Sequence, residues 1–169
     1  MIVTLGAIFG LHYLIDPDLF LHITVGHDIL AHPQSIGVSS FIEAHPSFPY
    51  VEDKWLACVL VALMHAIAGL DGVMGYQIVL CVAAAVAWYV MQRAWGASRA
   101  VAVVGVTLAL LTCNFRLEPR PDTISHALLA TTIALTVGPQ PRRRLLWLIP
   151  LVLAFWINLH GYFVNGLLV

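Results

Sequence analysis

Most of this chain is written in long apolar runs, and that decides the solvent in which it can fold. Residues 1–15, 55–70, 73–91, 100–115, 123–138 and 145–160 are dominated by Leu, Val, Ile, Ala and aromatic residues. Runs of this length with few charges read as spanning helices, because a helix satisfies its own backbone hydrogen bonds in hydrocarbon. The alternation of apolar and polar residues that a barrel strand needs does not occur in them. The chain is 60% hydrophobic and 10% charged. A soluble domain carries about a quarter charged residues. The expected fold class is therefore all-α, a polytopic transmembrane helical bundle forming a single transmembrane domain over residues 1–169.

Both ends look cut. Residues 1–15 would rise only about 22 Å as a helix, short of the roughly 30 Å hydrocarbon core. The closing "GYFVNGLLV" stops inside an apolar stretch. The expectation is the N-terminal part of a longer membrane domain. No basic leader with a cleavage site precedes residue 16, so residues 1–15 do not read as a signal peptide. Cys58, Cys81 and Cys113 lie in apolar runs without CxxC spacing and read as small buried hydrophobes.

A polar segment, residues 16–54, interrupts the runs, and residues 16–72 form the expected outer-face loop with juxtamembrane helices. "DLFLHITVGHDILAH" reads as a helix with two apolar stripes, Leu21–Val25–Ile29 and Leu19–Ile23, ended by Pro33. "QSIGVSSFIEAHPSFPYVED" reads as loop. The topology turns on residues 55–70. If they stay on the side of Asp16, all nine acidic residues gather there, together with "RLEPRPD" and "NLHG". Arg93, Arg99 and Arg142–Arg144 then fall on the other side in short acid-free loops, as cytoplasmic loops do. Counting Lys and Arg alone does not decide between the two topologies. The non-crossing one is favoured because it lets the polar motifs share one wet cavity.

Three motifs carry candidate chemistry. In "DPD", Asp16 and Asp18 are candidate catalytic carboxylates, able to orient or deprotonate a hydroxyl or to bind a divalent cation. The alternative is that one of them caps the helix that follows. In "RLEPRPD", Arg116, Arg120 and Asp122 are candidate substrate-binding groups, since the arginine fork suits phosphate. They read equally as interfacial arginines paired with neighbouring acids. In "NLHG", Asn158 and His160 stand at a helix end, where His160 either meets a phosphate or carboxylate or is structural. The loop histidines show no HExxH, and His22, His27 and His32 scatter around a helix, so no dedicated metal site is expected. A divalent cation at Asp16 and Asp18 is the one cofactor the pattern leaves open. Trp55 reads as an interfacial anchor. Nothing here suggests nucleic acid.

The order of these pieces resembles the N-terminal half of GT-C-type membrane glycosyltransferases, such as the protein O-mannosyltransferase and aminoarabinose transferase relatives. The resemblance rests on "DPD" followed by "LFLHITVGHDILAHP", on "YVEDKWLACVLVALMHAIAGLDG", on "EPRPD" and on "LLWLIPLVLAFWINLHGYF". It implies transfer of a sugar from a polyprenyl-phosphate carrier to an acceptor outside a bacterial cytoplasmic membrane. By the same resemblance Asp16 is the catalytic acid residue, Asp18 assists it, and Arg120 meets the lipid phosphate. The implied partners are the bilayer, the lipid-linked sugar and an unspecified acceptor. One departure is that no tryptophan follows "DPD", leaving Phe20 or His22 for an aromatic-histidine role. The competing readings are a transporter or flippase, which expects charge within the spans, and a non-catalytic membrane assembly subunit.

Overall fold

The computed structural model describes residues 1–11, 16–37, 49, 51–137 and 145–169, and the regular elements among these residues are helices. The helices are α1 (Ile2–Gly10), α2 (Pro17–Ala31), α3 (Trp55–Ala94), α4 (Arg99–Cys113), α5 (Pro121–Thr136), α6 (Leu148–Trp156) and α7 (Phe163–Leu167). Short 3-10 turns follow α2 at Pro33–Ile36 and α4 at Asn114–Arg116. Two helical stretches, Trp55–Ala94 and Arg99–Arg116, are long and apolar enough to cross a membrane. Arg142–Arg144 and most of the expected loop after Pro33, residues 38–48 with Glu43 and residue 50, lie outside the described residues.

The chain is organised around α3, which touches α1, α2, α4 and α5. This helix is not straight. Ala68 (φ −145°, ψ 26°) and Gly69 (φ 59°, ψ −143°) leave helical geometry in its middle. The Gly69 conformation is one that only glycine adopts at low cost. After it the chain doubles back. A Cβ built on Gly72 would stand 2.1 Å from the Met64 carbonyl oxygen. Eight residues of straight helix would put those positions about 12 Å apart. Val61 and Val73, on either side of the break, accordingly share one buried cluster with Leu19 and Ile23 of α2. The "GLDG" that closes the second apolar run is thus a helix-to-helix corner, as the separation of the runs at 55–70 and 73–91 implies.

Packing against α3 uses small residues. Gly6 and Gly10 of α1 are four apart, on one face, and a Cβ on either would lie 2.7 Å from the Val82 or Ile78 Cα, respectively. The order is reversed between the helices, so α1 runs antiparallel to the second half of α3. Such glycine pairs let two backbones approach where side chains would hold them apart. Gly26 of α2 does the same over the Cys58 carbonyl. Around these contacts Cys81, Ala85 and Trp88 of α3 pack with Val106 and Leu110 of α4, with Leu117, and with Ala130 of α5. The outer face of α4 (Val101, Val104, Leu108, Leu111) is apolar and exposed.

The expected helix after "DPD" is present with its stop before Pro33, but its stripes are redistributed. Leu19, Ile23, Val25 and Ile29 are buried, whereas Leu21 is exposed. The contact face of α2 follows its crossing with α3 at Gly26, and that crossing leaves Leu21 on the far side.

Candidate functional site

One end of the helix assembly collects the start of α2, the start of α3, residues 117–120 with the start of α5, and the end of α6 with residues 157–160 that follow it. Asp16 sits here as the N-cap of α2, its Oδ1 accepting the Asp18 backbone N–H at 3.0 Å. Capping thus falls on Asp16 and not on Asp18. Pro17 at the first helical position suits the same start.

Both oxygens of Asp16 also accept from Arg120, from Nε and from Nη2. This fork-to-carboxylate contact joins "DPD" to "EPRPD". The Asp16 side chain is 1% exposed and Arg120 is 24% exposed. Arg120 lies 3.3 Å from Glu118 and 3.7 Å from Asp18 as well. Asp16, the strongest influence, raises the guanidinium above its ordinary proton affinity and fixes it as a cation. With both oxygens engaged and the carboxylate buried, Asp16 is poorly placed to reach a hydroxyl. Asp18 is not so confined, at 57% exposure. Arg120 is surrounded by carboxylates that would compete with a phosphate.

Arg120 is held there by its own segment. Thr123 donates from Oγ1 to the Glu118 carbonyl at 2.9 Å. Gln77 of α3, fully buried, donates from Nε2 to the Leu117 carbonyl. Prolines at 119 and 121 restrict the backbone between these ties.

A second chain of contacts runs beside the first. Asp122, near the start of α5, meets Arg116 Nη1 at 3.7 Å through Oδ2 and His160 Nε2 at 3.2 Å through Oδ1. The other ring nitrogen of His160, Nδ1, lies 3.2 Å from Ser125 Oγ. Trp156 Nε1 donates to that same oxygen at 2.9 Å, and Ser125 Oγ is 3.0 Å from the Pro121 carbonyl. Burial pulls His160 below its ordinary value; Asp122, the next influence, opposes it, and Lys54 then lowers and Asp53 raises it to a smaller extent. Arg116 is half exposed and lies 5.7 Å from the ring centroid of exposed Phe115.

Asn158 does something else. Its Oδ1 accepts from Trp55 Nε1 at 2.9 Å and its carbonyl accepts the Leu56 N–H at 3.1 Å. The first-turn N–H groups of a helix have no partner of their own. Asn158 thus supplies one across 102 residues of chain and pins α3 to the end of α6. Trp55, expected as a membrane anchor, is one half of this tie.

Both residues left for an aromatic-histidine role sit on α2 with different fates. Phe20 is exposed, whereas His22 is buried with Nδ1 3.5 Å from Cys58 Sγ. Burial, then Lys54, lowers the His22 proton affinity. As for a divalent cation at Asp16 and Asp18, the Asp16 oxygens are already bonded. Among the described residues no group of three or more His, Cys, Asp or Glu converges on a point suited to a metal.

Sequence reasoning missed Ser125, Trp156 and Gln77. Helical spacing could have found the first two. Ser125 is three residues after Asp122, and Trp156 is four before His160, the separations that place side chains on one helix face. No local signal marks Gln77, whose partner lies 40 residues away.

No protein-family model, curated protein or solved structure matches this chain.

Proposed function

We propose that this chain belongs to a membrane glycosyltransferase of GT-C type, which takes a sugar from a polyprenyl-phosphate carrier at the membrane surface. The observation that carries this reading is the Asp16–Arg120 contact beside the Arg116–Asp122–His160 chain. Together they bring all three polar motifs to one end of the apolar helices. The Trp55–Asn158 and Gln77–Leu117 contacts tie both ends of residues 55–77 to the motif end, which supports a topology in which residues 55–70 stay on the Asp16 side. In this topology the helices form a polytopic bundle in a bacterial cytoplasmic membrane, with the motif end outward. The exposed apolar face of α4 then meets acyl chains.

The contacts divide the roles. Asp16 and Arg120 form a rigid floor. Asp18, exposed beside them, is the carboxylate able to orient the acceptor hydroxyl or take its proton. Arg116, half exposed, is the cation available to the phosphate. As the sugar–phosphate bond breaks, charge grows on the departing phosphate oxygen. A positioned cation there stabilises the transition state more than the ground state. Asp122 restrains Arg116, and its distance of 3.7 Å leaves the guanidinium free to turn.

The test uses the complete open reading frame in nanodiscs with polyprenyl-phosphate sugar and a hydroxyl acceptor library. Transfer is measured for the unmodified protein, Asp18→Asn and Arg116→Ala, with thermal unfolding as a folding control. Each substitution is expected to lower transfer by about a hundredfold or more, the scale for losing one charge-stabilising group. Equal transfer by all three would remove both residues from the reaction. Absence of transfer by the unmodified protein from any carrier would remove the reading itself.

A further inference from the structure

The Ser125 hydroxyl has two acceptors within reach, the Pro121 carbonyl at 3.0 Å and His160 Nδ1 at 3.2 Å, and one fixed donor, the Trp156 indole at 2.9 Å. This arrangement satisfies His160 in both charge states. With neutral His160 carrying its proton on Nε2, Nε2–H donates to Asp122 and the Ser125 hydroxyl donates to Nδ1. With the imidazolium, Nε2–H still donates to Asp122, Nδ1–H donates to Ser125 Oγ, and the Ser125 hydroxyl turns to Pro121. Neither state leaves a buried polar group unpaired, a fault that would cost more than an ordinary hydrogen bond gains. A histidine needed only for packing requires one of these states, not both.

Asp122 carries the consequence outward, since its two oxygens divide between His160 and Arg116. A phosphate on Arg116 weakens the hold of that guanidinium on Asp122, and the carboxylate is then free to pair with an imidazolium. We infer that phosphate binding at Arg116 and proton binding at His160 are coupled through Asp122, with Ser125 as the rotor that lets the proton enter. The phosphate is that of a lipid carrier, of a phospholipid headgroup or inorganic phosphate free in solution, which share the anionic oxygens the guanidinium recognises. This rests on the reading of Arg116 as the phosphate contact.

The charged and titratable groups facing His160 are Asp122 and His126 from α5, and Asp53 and Lys54 from the approach to α3. The Tyr162 ring packs edge-on at 4.1 Å. Lys54 disfavours the imidazolium and Asp53 favours it, so these two oppose one another and Asp122 remains the carboxylate in direct contact. Burial favours neutral His160 when phosphate is absent. Phosphate then draws the proton in. By linkage, the factor by which phosphate favours the proton equals the factor by which the proton favours phosphate.

The coupling is read by NMR titration of ring-labelled histidine in the full chain in nanodiscs, with the His160 resonance assigned by His160→Gln. Three probes are added separately at constant ionic strength: polyprenyl phosphate, phosphatidic acid and inorganic phosphate. The His160 midpoint is expected to rise by about one pH unit with a bound phosphate, a tenfold coupling. A rise with polyprenyl phosphate alone supports the coupling and assigns it to the lipid carrier. A rise with all three supports it for any phosphate. No rise with any probe overturns it, and this arm is read on the unmodified protein once the resonance is assigned. In Asp122→Asn the rise should shrink to less than half. Ser125→Ala should lower the midpoint without phosphate, with Ser125→Thr keeping it, because the imidazolium loses its acceptor only in the first. A full rise in Asp122→Asn overturns the route through Asp122. Sugar transfer with an immobile His160 midpoint sinks the coupling alone. A moving midpoint in a protein that transfers no sugar sinks the transferase reading and leaves the coupling.

Discussion

Asp16 and Arg120, 104 residues apart in sequence, meet through both carboxylate oxygens and two guanidinium nitrogens, with Asp16 almost wholly buried. The same carboxylate caps α2, so one side chain fixes the start of a helix and the position of a remote loop. Removing one partner of a buried pair strands the other charge and costs about 3 kcal/mol. Asp16→Ala and Arg120→Ala should each destabilise the folded protein on that scale, with Asp16→Ala losing about 1 kcal/mol more for the cap. In the double variant the losses should fall well short of additive. Thermal or denaturant unfolding in detergent measures this, and strict additivity would show that the pair does not act as a unit.

Asn158 and Trp55 form a second long-range tie. Asn158→Ala leaves the indole N–H without its partner and should cost about 1 kcal/mol. In a Trp55→Phe background the same change should cost close to nothing, because no donor remains to strand. A double-mutant cycle checks this, and an equal loss in both backgrounds would dissociate the two residues.

The glycines of α1 and α3 should respond in opposite directions. Gly6→Ala would place its Cβ 2.7 Å from the Val82 Cα, so α1 must move, whereas Gly75 has open space around it. Overpacking typically costs about 1–3 kcal/mol. Gly75→Ala in a helix interior should instead be neutral or stabilise by up to about 1 kcal/mol. Unfolding of the two variants side by side decides it, and similar responses would mean that α1 does not rest on α3 through Gly6.

Gly69 sets the corner in α3. Gly69→Ala forces a side chain into a conformation costing on the order of 1–3 kcal/mol. The relief is to straighten the helix, which would move Val61 and Val73 from shared packing towards about 18 Å apart along the axis. Spin labels at residues 60 and 74 should therefore separate in Gly69→Ala. An unchanged distance distribution would show that the corner is imposed by packing alone.

Acid should weaken the fold through His22. Its folded proton affinity is depressed from the ordinary 6.5, with burial the largest cause, so the unfolded chain binds more protons as pH falls through that range. Stability is then full above about pH 6.5 and declines below it. Melting temperature measured from pH 8 to pH 5 should fall, and His22→Gln should flatten part of the decline. An identical pH profile in His22→Gln would remove this residue as a source.

The helices were largely legible. Apolar runs, the proline before α5 and the "DPD" start of α2 mark elements whose causes are local. The α3 corner was visible as "GLDG", although its angle was not. Within the site, the candidates were legible as residue types and their assignments were not. Asp16 stood out as a base and is the cap and the partner of Arg120. Arg120 stood out as the phosphate cation and is enclosed by Asp16, Asp18 and Glu118. Asn158 stood out as a binding residue and is the tie to Trp55. Each of these contacts depends on a partner about a hundred residues away or on another element, which no spacing rule reaches.

What the amino-acid order determined by itself was the all-helical class and the gathering of acids into a few short motifs, because hydrophobicity, capping and proline geometry act over one or two turns. Only the tertiary structure decided which acid meets which arginine. That choice follows from how closely α1 and α2 approach α3 at Gly6, Gly10 and Gly26 and from where Gln77 and Asn158 tie the remote segments. Ion pairs form between groups that packing brings together, and the apolar contacts that do so carry no charge pattern of their own.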